Sequence, residues 1–115
     1  MTRYVVLIAY GSLEWESATE EVRQSYHRDH AAFSSYVAEH GSAALADAEQ
    51  ATTLRHEGGR RDGAVEVTDG PFVETAEQVG GYHDVELPDL DHALAAARLL
   101  PAAYTVEVRP TVAIG

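Results

Sequence analysis

The chain has 115 residues, of which 45% are hydrophobic and 23% charged, and we predict one folded domain over residues 1–115. Acidic residues outnumber basic ones 19 to 8, for a formal net charge of −11. This charge argues against a nucleic-acid partner, because phosphate binding needs clustered Lys or Arg. It also argues against an anionic membrane surface as a partner.

Two amino acids that the sequence lacks restrict its chemistry. Without Cys there is no disulfide or thiolate nucleophile, and without Lys there is no Schiff base. Proton transfer therefore depends on His, Asp, Glu or Tyr. No apolar run approaches the ~20 residues of a membrane-spanning helix. The N-terminal residues do not resemble a secretory signal, so a cytoplasmic location is expected.

The first half of the chain predicts a strand followed by a helix. Residues 3–10 (RYVVLIAY) are β-branched and aromatic, which predicts a central strand buried on both faces. Ser17 and Glu20 have the spacing of a capping box, so we expect a helix from Ser17 through His40. Residues 41–50 are Ala-rich with weak periodicity and fit a strand, a loop or a further helical turn.

The second half predicts a hairpin, a strand, a helix and a last strand. Residues 51–57 and 64–68 are β-prone and flank a Gly-rich turn, which predicts the hairpin. Residues 80–87 alternate, with His83 on the face of Val85 and Leu87 and with Tyr82 on the other. A second helix is predicted from Pro88-Asp89 to Pro101, and a strand over residues 105–109.

This order of elements predicts a ferredoxin-like α+β fold, βαββαβ with an extra hairpin, with both helices on one face of a mainly antiparallel sheet. The other face then needs cover, and the chain is too short to supply a third layer. We therefore expect a homodimer that pairs through the open sheet face.

His30 is the first candidate for chemistry. At 100° per residue it falls within the arc of the apolar helix stripe that holds Tyr26 and Phe33, so it should point toward the sheet. An imidazole there lines a cavity as a general base, or is a core-edge histidine bonded to a carbonyl. His27 and His30 form an HxxH pair, but the glutamate and third ligand of a zinc site are missing, so no metal is predicted.

Asp69 is the second candidate. It begins the turn Asp69-Gly70-Pro71-Phe72, where a rigid bend holds a carboxylate that orients a histidine or accepts a proton. The alternative is a turn aspartate bonded to its own backbone. The residues predicted to line a pocket are Tyr10, Trp15, Tyr26, Phe72, Tyr82 and His83; Tyr10 and Trp15 fit a pocket wall and a cap on the core equally well.

Three segments together resemble a known family. ATTLR at residues 51–55, VTDGPFVET at residues 67–75 and EQVGGY at residues 77–82 are similar to the signature of the YCII-related family, in its DGPF subgroup. The opening strand and VEVRP at residues 106–110 fit as well. Residues 41–51 are shorter than in typical DGPF members, which predicts an irregular second strand.

The resemblance implies ferredoxin-like subunits that pair into a dimeric α+β barrel. Relatives of the YCII type carry a histidine on the first helix and an aspartate in a later loop, proposed as a catalytic pair, and these roles fall on His30 and Asp69. DGPF proteins are often encoded beside extracytoplasmic-function sigma factors, which implies a possible regulatory partner.

Two functional hypotheses follow. One is an acid/base enzyme that acts on a small organic molecule with a His30–Asp69 pair and without a tightly bound cofactor. The other is a non-catalytic ligand-binding or regulatory module, associated with a sigma factor. A polar pocket with both residues within hydrogen-bond reach favours the enzyme; a filled core and an exposed apolar patch favour the module.

Overall fold

The computed structural model describes residues 1–11 and 15–114. In chain order the elements are β1 (Thr2–Tyr10), α1 (Glu20–Tyr36), β2 (Ala38–Ala44), β3 (Thr52–His56), β4 (Val65–Asp69), β5 (Gln78–Leu87), α2 (Leu90–Ala97) and β6 (Thr105–Pro110). No helix among the described residues is long and apolar enough to cross a membrane.

The main sheet has four strands in the order β2-β5-β1-β6, and every neighbouring pair is antiparallel. Strands β3 and β4 form a separate two-stranded antiparallel sheet. With its two helices, this topology confirms the predicted ferredoxin-like α+β fold with an extra hairpin.

The hydrophobic core lies between the helices and one face of the main sheet. Its members are Tyr4, Val6 and Ile8 of β1, Val85 and Leu87 of β5, Phe33 of α1, Ala93 and Ala96 of α2, and Leu100. Because both helices contribute to this one cluster, they cover the same face. His83 is buried on that face too, whereas Tyr82 lies on the other, in agreement with the predicted alternation.

The prediction that β1 is buried on both faces was wrong for the single chain. Tyr4, Val6 and Ile8 are buried, but Val5 and Leu7 between them are only half-buried. The reason is that side chains alternate across a strand while the helices cover one face alone. The open face of the sheet therefore carries apolar side chains that the described part of the chain leaves partly exposed.

The predicted bounds of the first helix were also wrong. The N-cap is Thr19, whose Oγ1 accepts a hydrogen bond of 3.2 Å from the Val22 amide, and the helix ends at Tyr36. The Thr19 hydroxyl bonds to one of the free amides of the first turn. Glu20 and Glu21 place negative charge near the positive end of the helix dipole, which favours a start here over a start at Ser17. At the C-terminal end, pairing with β5 takes residues 38–44 into a strand instead.

Two β-bulges interrupt the regular strand pairing of the main sheet. In β2, Glu39 pairs with Val85 and Gly41 with Asp84, which leaves His40 as the extra residue. Residues 41–44 thus form a strand, one of the alternatives that the sequence left open, and the bulge directly precedes them. In β5 the shift at the Ile8/Ala9 step leaves Gly80 as the extra residue. Bulges redirect the side chains around them. Gly80 lines both cavities described next, and Ser42, two residues after His40, lines the smaller one.

Candidate functional site

A cavity of about 630 Å³ opens between α1 and one end of the main sheet. Its walls come from the end of β1, the start of β5, the segment after β2 and the residue before β6, as well as from α1. A second cavity of about 260 Å³ adjoins it. Both cavities are lined by Tyr10, His30, Ala44, Gly80 and Tyr104.

His30 faces these cavities from α1, as its position on the helix stripe predicts. Its ring is half-buried, and Nε2 lies 3.0 Å from the phenol oxygen of Tyr104. Burial lowers the pKa of His30 below its usual value of about 6.5, and the nearby His83 lowers it further. The imidazole is therefore neutral at pH 7 and able to accept a proton.

Tyr104 is the partner of His30 and is held in the protonated form. Burial, with smaller contributions from the neighbouring phenols of Tyr10 and Tyr26, raises the pKa of Tyr104 to about 12. A neutral phenol and a neutral imidazole share one hydrogen bond, in which either ring supplies the proton according to the histidine tautomer. The pair can thus pass a proton to a bound molecule or accept one from it.

A second histidine connects the site to a carboxylate. His83 of β5 is buried, its Nδ1 is hydrogen-bonded to the Glu39 carboxylate of β2, and its ring centroid lies 5.9 Å from that of His30. Glu39 pairs with Val85 in the sheet, so the strand register directs it to the helix-covered face. Strand β2 therefore supplies a carboxylate, Glu39, that is linked to His30 through the His83 ring.

Aromatic rings form one continuous wall of the larger cavity. Tyr10 stacks on Tyr104 with centroids 5.5 Å apart, Tyr26 meets Tyr104 edge-on at 5.8 Å, and Trp15 meets Tyr26 edge-on at 5.8 Å. Gly80 makes room for this wall, because a Cβ at that position would overlap the phenol ring of Tyr10. The bulge in β5 thus fixes where the first ring of the wall lies.

The six predicted pocket residues separate into three groups. Tyr10, Trp15 and Tyr26 line the larger cavity, and Tyr82 and His83 line the smaller one. Phe72 lines neither and is 72% exposed, so its assignment to the pocket is corrected. It follows the hairpin, and its carbonyl accepts a 2.9 Å hydrogen bond from Arg55 of β3, which keeps it at the hairpin.

Asp69 ends β4 opposite Thr52, is exposed, and lines neither cavity. The turn after it closes the base of the hairpin. Gly70 has φ +99°, its amide donates to the Ala51 carbonyl at 2.7 Å, and its own carbonyl accepts from Thr53 Oγ1 at 2.7 Å. Within one chain the structure does not bring Asp69 to His30.

The described residues contain no cluster of three or more His, Asp or Glu side chains arranged to hold a metal ion. The two histidines of the HxxH pair have separate contacts. His27 packs edge-on against Trp15 at 5.7 Å, while His30 bonds to Tyr104.

Sequence reasoning missed Tyr104 and Glu39. A signal for Tyr104 was available, because it stands two and four residues before Val106 and Val108 and so shares their face of the strand. Glu39 had no such signal while residues 37–40 were assigned to the helix. It also missed Asp47 and Glu49, which line the larger cavity from the segment after β2.

Comparison with known proteins is decisive for the family. The YCII-related domain matches residues 2–113, almost the whole chain. The chain belongs to the YCII-related family. An uncharacterised protein of Rhizobium meliloti is 44% identical over 64 residues, a stretch that covers 52% of this chain and 48% of that protein. The chain thus matches about half the length of this relative, and the DGPF subgroup stays a prediction.

Proposed function

We propose that this YCII-related protein is an acid/base enzyme for a small organic molecule bound in the larger cavity, with His30 and Tyr104 as its proton-transfer pair. The observation that carries the proposal is the 3.0 Å hydrogen bond between His30 Nε2 and the Tyr104 phenol at the cavity wall. A cavity of about 630 Å³ is within the usual range of ~300–1,000 Å³ for small-molecule sites.

In this proposal Tyr104 acts as the acid and His30 as the base. With the Tyr104 O–H directed to the substrate, His30 Nε2–H donates to the phenol oxygen, and the other ring nitrogen, Nδ1, accepts the substrate proton. Burial keeps the imidazole uncharged at neutral pH, because it lowers the pKa of His30, so the base is in its active form. Tyr104 stays protonated because burial raises its pKa to about 12. Its O–H is thus able to donate to a developing negative charge on the substrate.

Glu39 is proposed as a positioning residue that acts through His83. When His30 takes up a proton, the new positive charge lies beside His83, whose Nδ1 is hydrogen-bonded to the Glu39 carboxylate. The negative charge of Glu39 raises the pKa of His30 and so stabilises the imidazolium, in surroundings less polar than water. This arrangement supplies the carboxylate role that the family resemblance places on Asp69.

We also propose that the protein works as a homodimer. The open face of the main sheet carries Val5, Leu7 and Tyr82, and Tyr82 is 38% exposed. A second copy would cover these side chains by the same contact on both subunits. Sedimentation should give twice the chain mass of 12.4 kDa, and Leu7→Arg should return the protein to a monomer; a wild-type monomer contradicts the proposal.

The regulatory alternative is tested together with the enzyme. We would incubate the protein with pooled small metabolites and follow both ligand binding and turnover by NMR. The enzyme proposal expects turnover by wild type and by His56→Gln, a matched histidine change in the hairpin, but not by His30→Gln. Ligand binding by all three proteins without turnover would favour the non-catalytic module.

A further inference from the structure

We infer that the larger cavity selects an organic cation, a small molecule whose positive charge sits on an alkylated or ring nitrogen. The inference rests on the proposed function, since it takes the same cavity as the binding site and adds the charge class of the ligand. Two independent observations carry it: the aromatic wall of the cavity and the signs of its charged lining residues.

The aromatic wall offers the electrostatic surface that such a cation prefers. The faces of Tyr and Trp rings carry partial negative charge and attract ammonium groups within about 6 Å of the ring centre. Four such rings, those of Tyr10, Trp15, Tyr26 and Tyr104, line the cavity. An alkylated ammonium group gains from these rings while its apolar substituents are removed from water.

The chain already makes one contact of this type at the same wall. The guanidinium carbon of Arg23 lies 5.6 Å from the centre of the Trp15 ring. That guanidinium also donates to the backbone carbonyls of Trp15 and Glu16, at 2.8 and 2.9 Å. It is therefore anchored outside the cavity lining, and among the described residues no Arg lies over the other three rings.

The charged groups in the lining have the sign that a cation needs. Asp47 and Glu49 line the cavity, and no Arg is among its described lining residues, while the chain contains no Lys. His30 is neutral at pH 7 because burial lowers its pKa. An anionic ligand would meet two carboxylates and no Arg in the described lining, since Arg23 is held outside it, so the cavity discriminates against carboxylates and phosphates.

The test compares three probes of similar size: phenyltrimethylammonium, its uncharged carbon analogue tert-butylbenzene, and benzoate. Binding to the full-length protein is measured at pH 8 by NMR, with the fluorescence of Trp15, the single tryptophan, as a second signal. We expect the cation to bind about tenfold more tightly than its neutral analogue, and benzoate to bind least tightly.

Charge-removing variants separate the cavity from the overall field of an acidic protein. The double variant Asp47→Asn/Glu49→Gln should weaken binding of the cation several-fold and leave tert-butylbenzene unchanged. The matched control is Glu66→Gln with Asp62→Asn, which removes the same charge from the hairpin and should change neither affinity. Equal loss in both double variants overturns the inference, because only the net charge would then matter.

The outcomes separate failure of the cation inference from failure of the proposed function. Equal or tighter binding of tert-butylbenzene or benzoate overturns the cation inference and leaves the cavity as a binding site. If none of the three probes binds to wild type, the inference is overturned and the proposed use of this cavity loses its support as well.

Discussion

The Nε2 atom of His30 lies 3.0 Å from the phenol oxygen of Tyr104, although 74 positions separate the two residues in the sequence. The bond joins the middle of α1 to the residue just before β6, across the end of the sheet where the larger cavity opens. Two groups able to transfer protons are thereby fixed at one cavity wall, which is the geometric basis of the proposed chemistry.

Removing the phenol oxygen tests this pair directly. Tyr104→Phe keeps the aromatic wall but deletes the hydrogen bond, so we expect turnover to fall by 10²-fold or more. The free energy of unfolding should drop by only about 1 kcal/mol, as for a single hydrogen bond. Tyr36→Phe, at the exposed end of α1, is the matched control for turnover and for urea unfolding; equal turnover by both variants would exclude Tyr104 from the reaction.

The bulge glycine in β5 offers a second test. Gly80→Ala places a methyl group where the Tyr10 ring lies, so the ring must move and the cavity must change shape. We expect a loss of about 1–3 kcal/mol in stability and weaker ligand binding. Gly41→Ala is the matched control, because a Cβ there meets nothing within 4 Å. Wild-type ligand affinity in Gly80→Ala would show that the Tyr10 ring does not form part of the site.

Two carboxylates compete for the role of partner to the histidine. The structure favours Glu39, which reaches the site through His83, over Asp69 in the hairpin. We expect Glu39→Gln to lower turnover about tenfold and to shift its pH profile, while Asp69→Asn behaves as wild type. A large loss in Asp69→Asn alone would instead mean that the hairpin of a second subunit reaches the cavity.

The lowered pKa of His30 also makes a prediction about stability. Its pKa is lower in the folded chain than in the unfolded chain, so the unfolded chain binds more protons between those two values. Its contribution is fully present above about pH 6.5 and is lost as pH falls toward the folded pKa. Urea unfolding should thus show a larger decline below pH 6.5 in wild type than in His30→Asn.

The groups around His30 do not all shift its pKa in the same direction. His83 of β5 and His27 of α1 lower the pKa, whereas the Asp29 and Glu39 carboxylates raise it. Burial is the largest influence and decides the sign. An equal decline with pH in wild type and His30→Asn would mean that this burial is absent in solution.

The sequence predicted most of the fold because local patterns and tertiary packing agree there. Period-two alternation placed His83 with Val85 and Leu87, and helical periodicity placed His30 toward the sheet. The prediction of α1 wrongly continued into residues 38–40. Local helix propensity does not reveal that these residues pair with β5 in the sheet.

The candidate site was predictable only in part, for a related reason. His30, Tyr10, Trp15 and Tyr26 lie on regular elements or beside them, so periodicity was informative. Glu49 lies in a short 3-10 helix, Ala48–Gln50, and Asp47 directly precedes it. The position of this helix beside the cavity depends on tertiary contacts with β5. The DGPF turn was predicted to border the site, but its backbone groups are used to close the hairpin.

An NMR titration of the six imidazoles tests the central claim most directly. The His30 ring resonances, assigned with the His30→Asn variant, should titrate with a pKa below the usual value of about 6.5. Tyr104→Phe should perturb these resonances more than Tyr36→Phe does. A His30 pKa at or above 6.5, with resonances indifferent to Tyr104→Phe, would place the ring in open water and contradict the account.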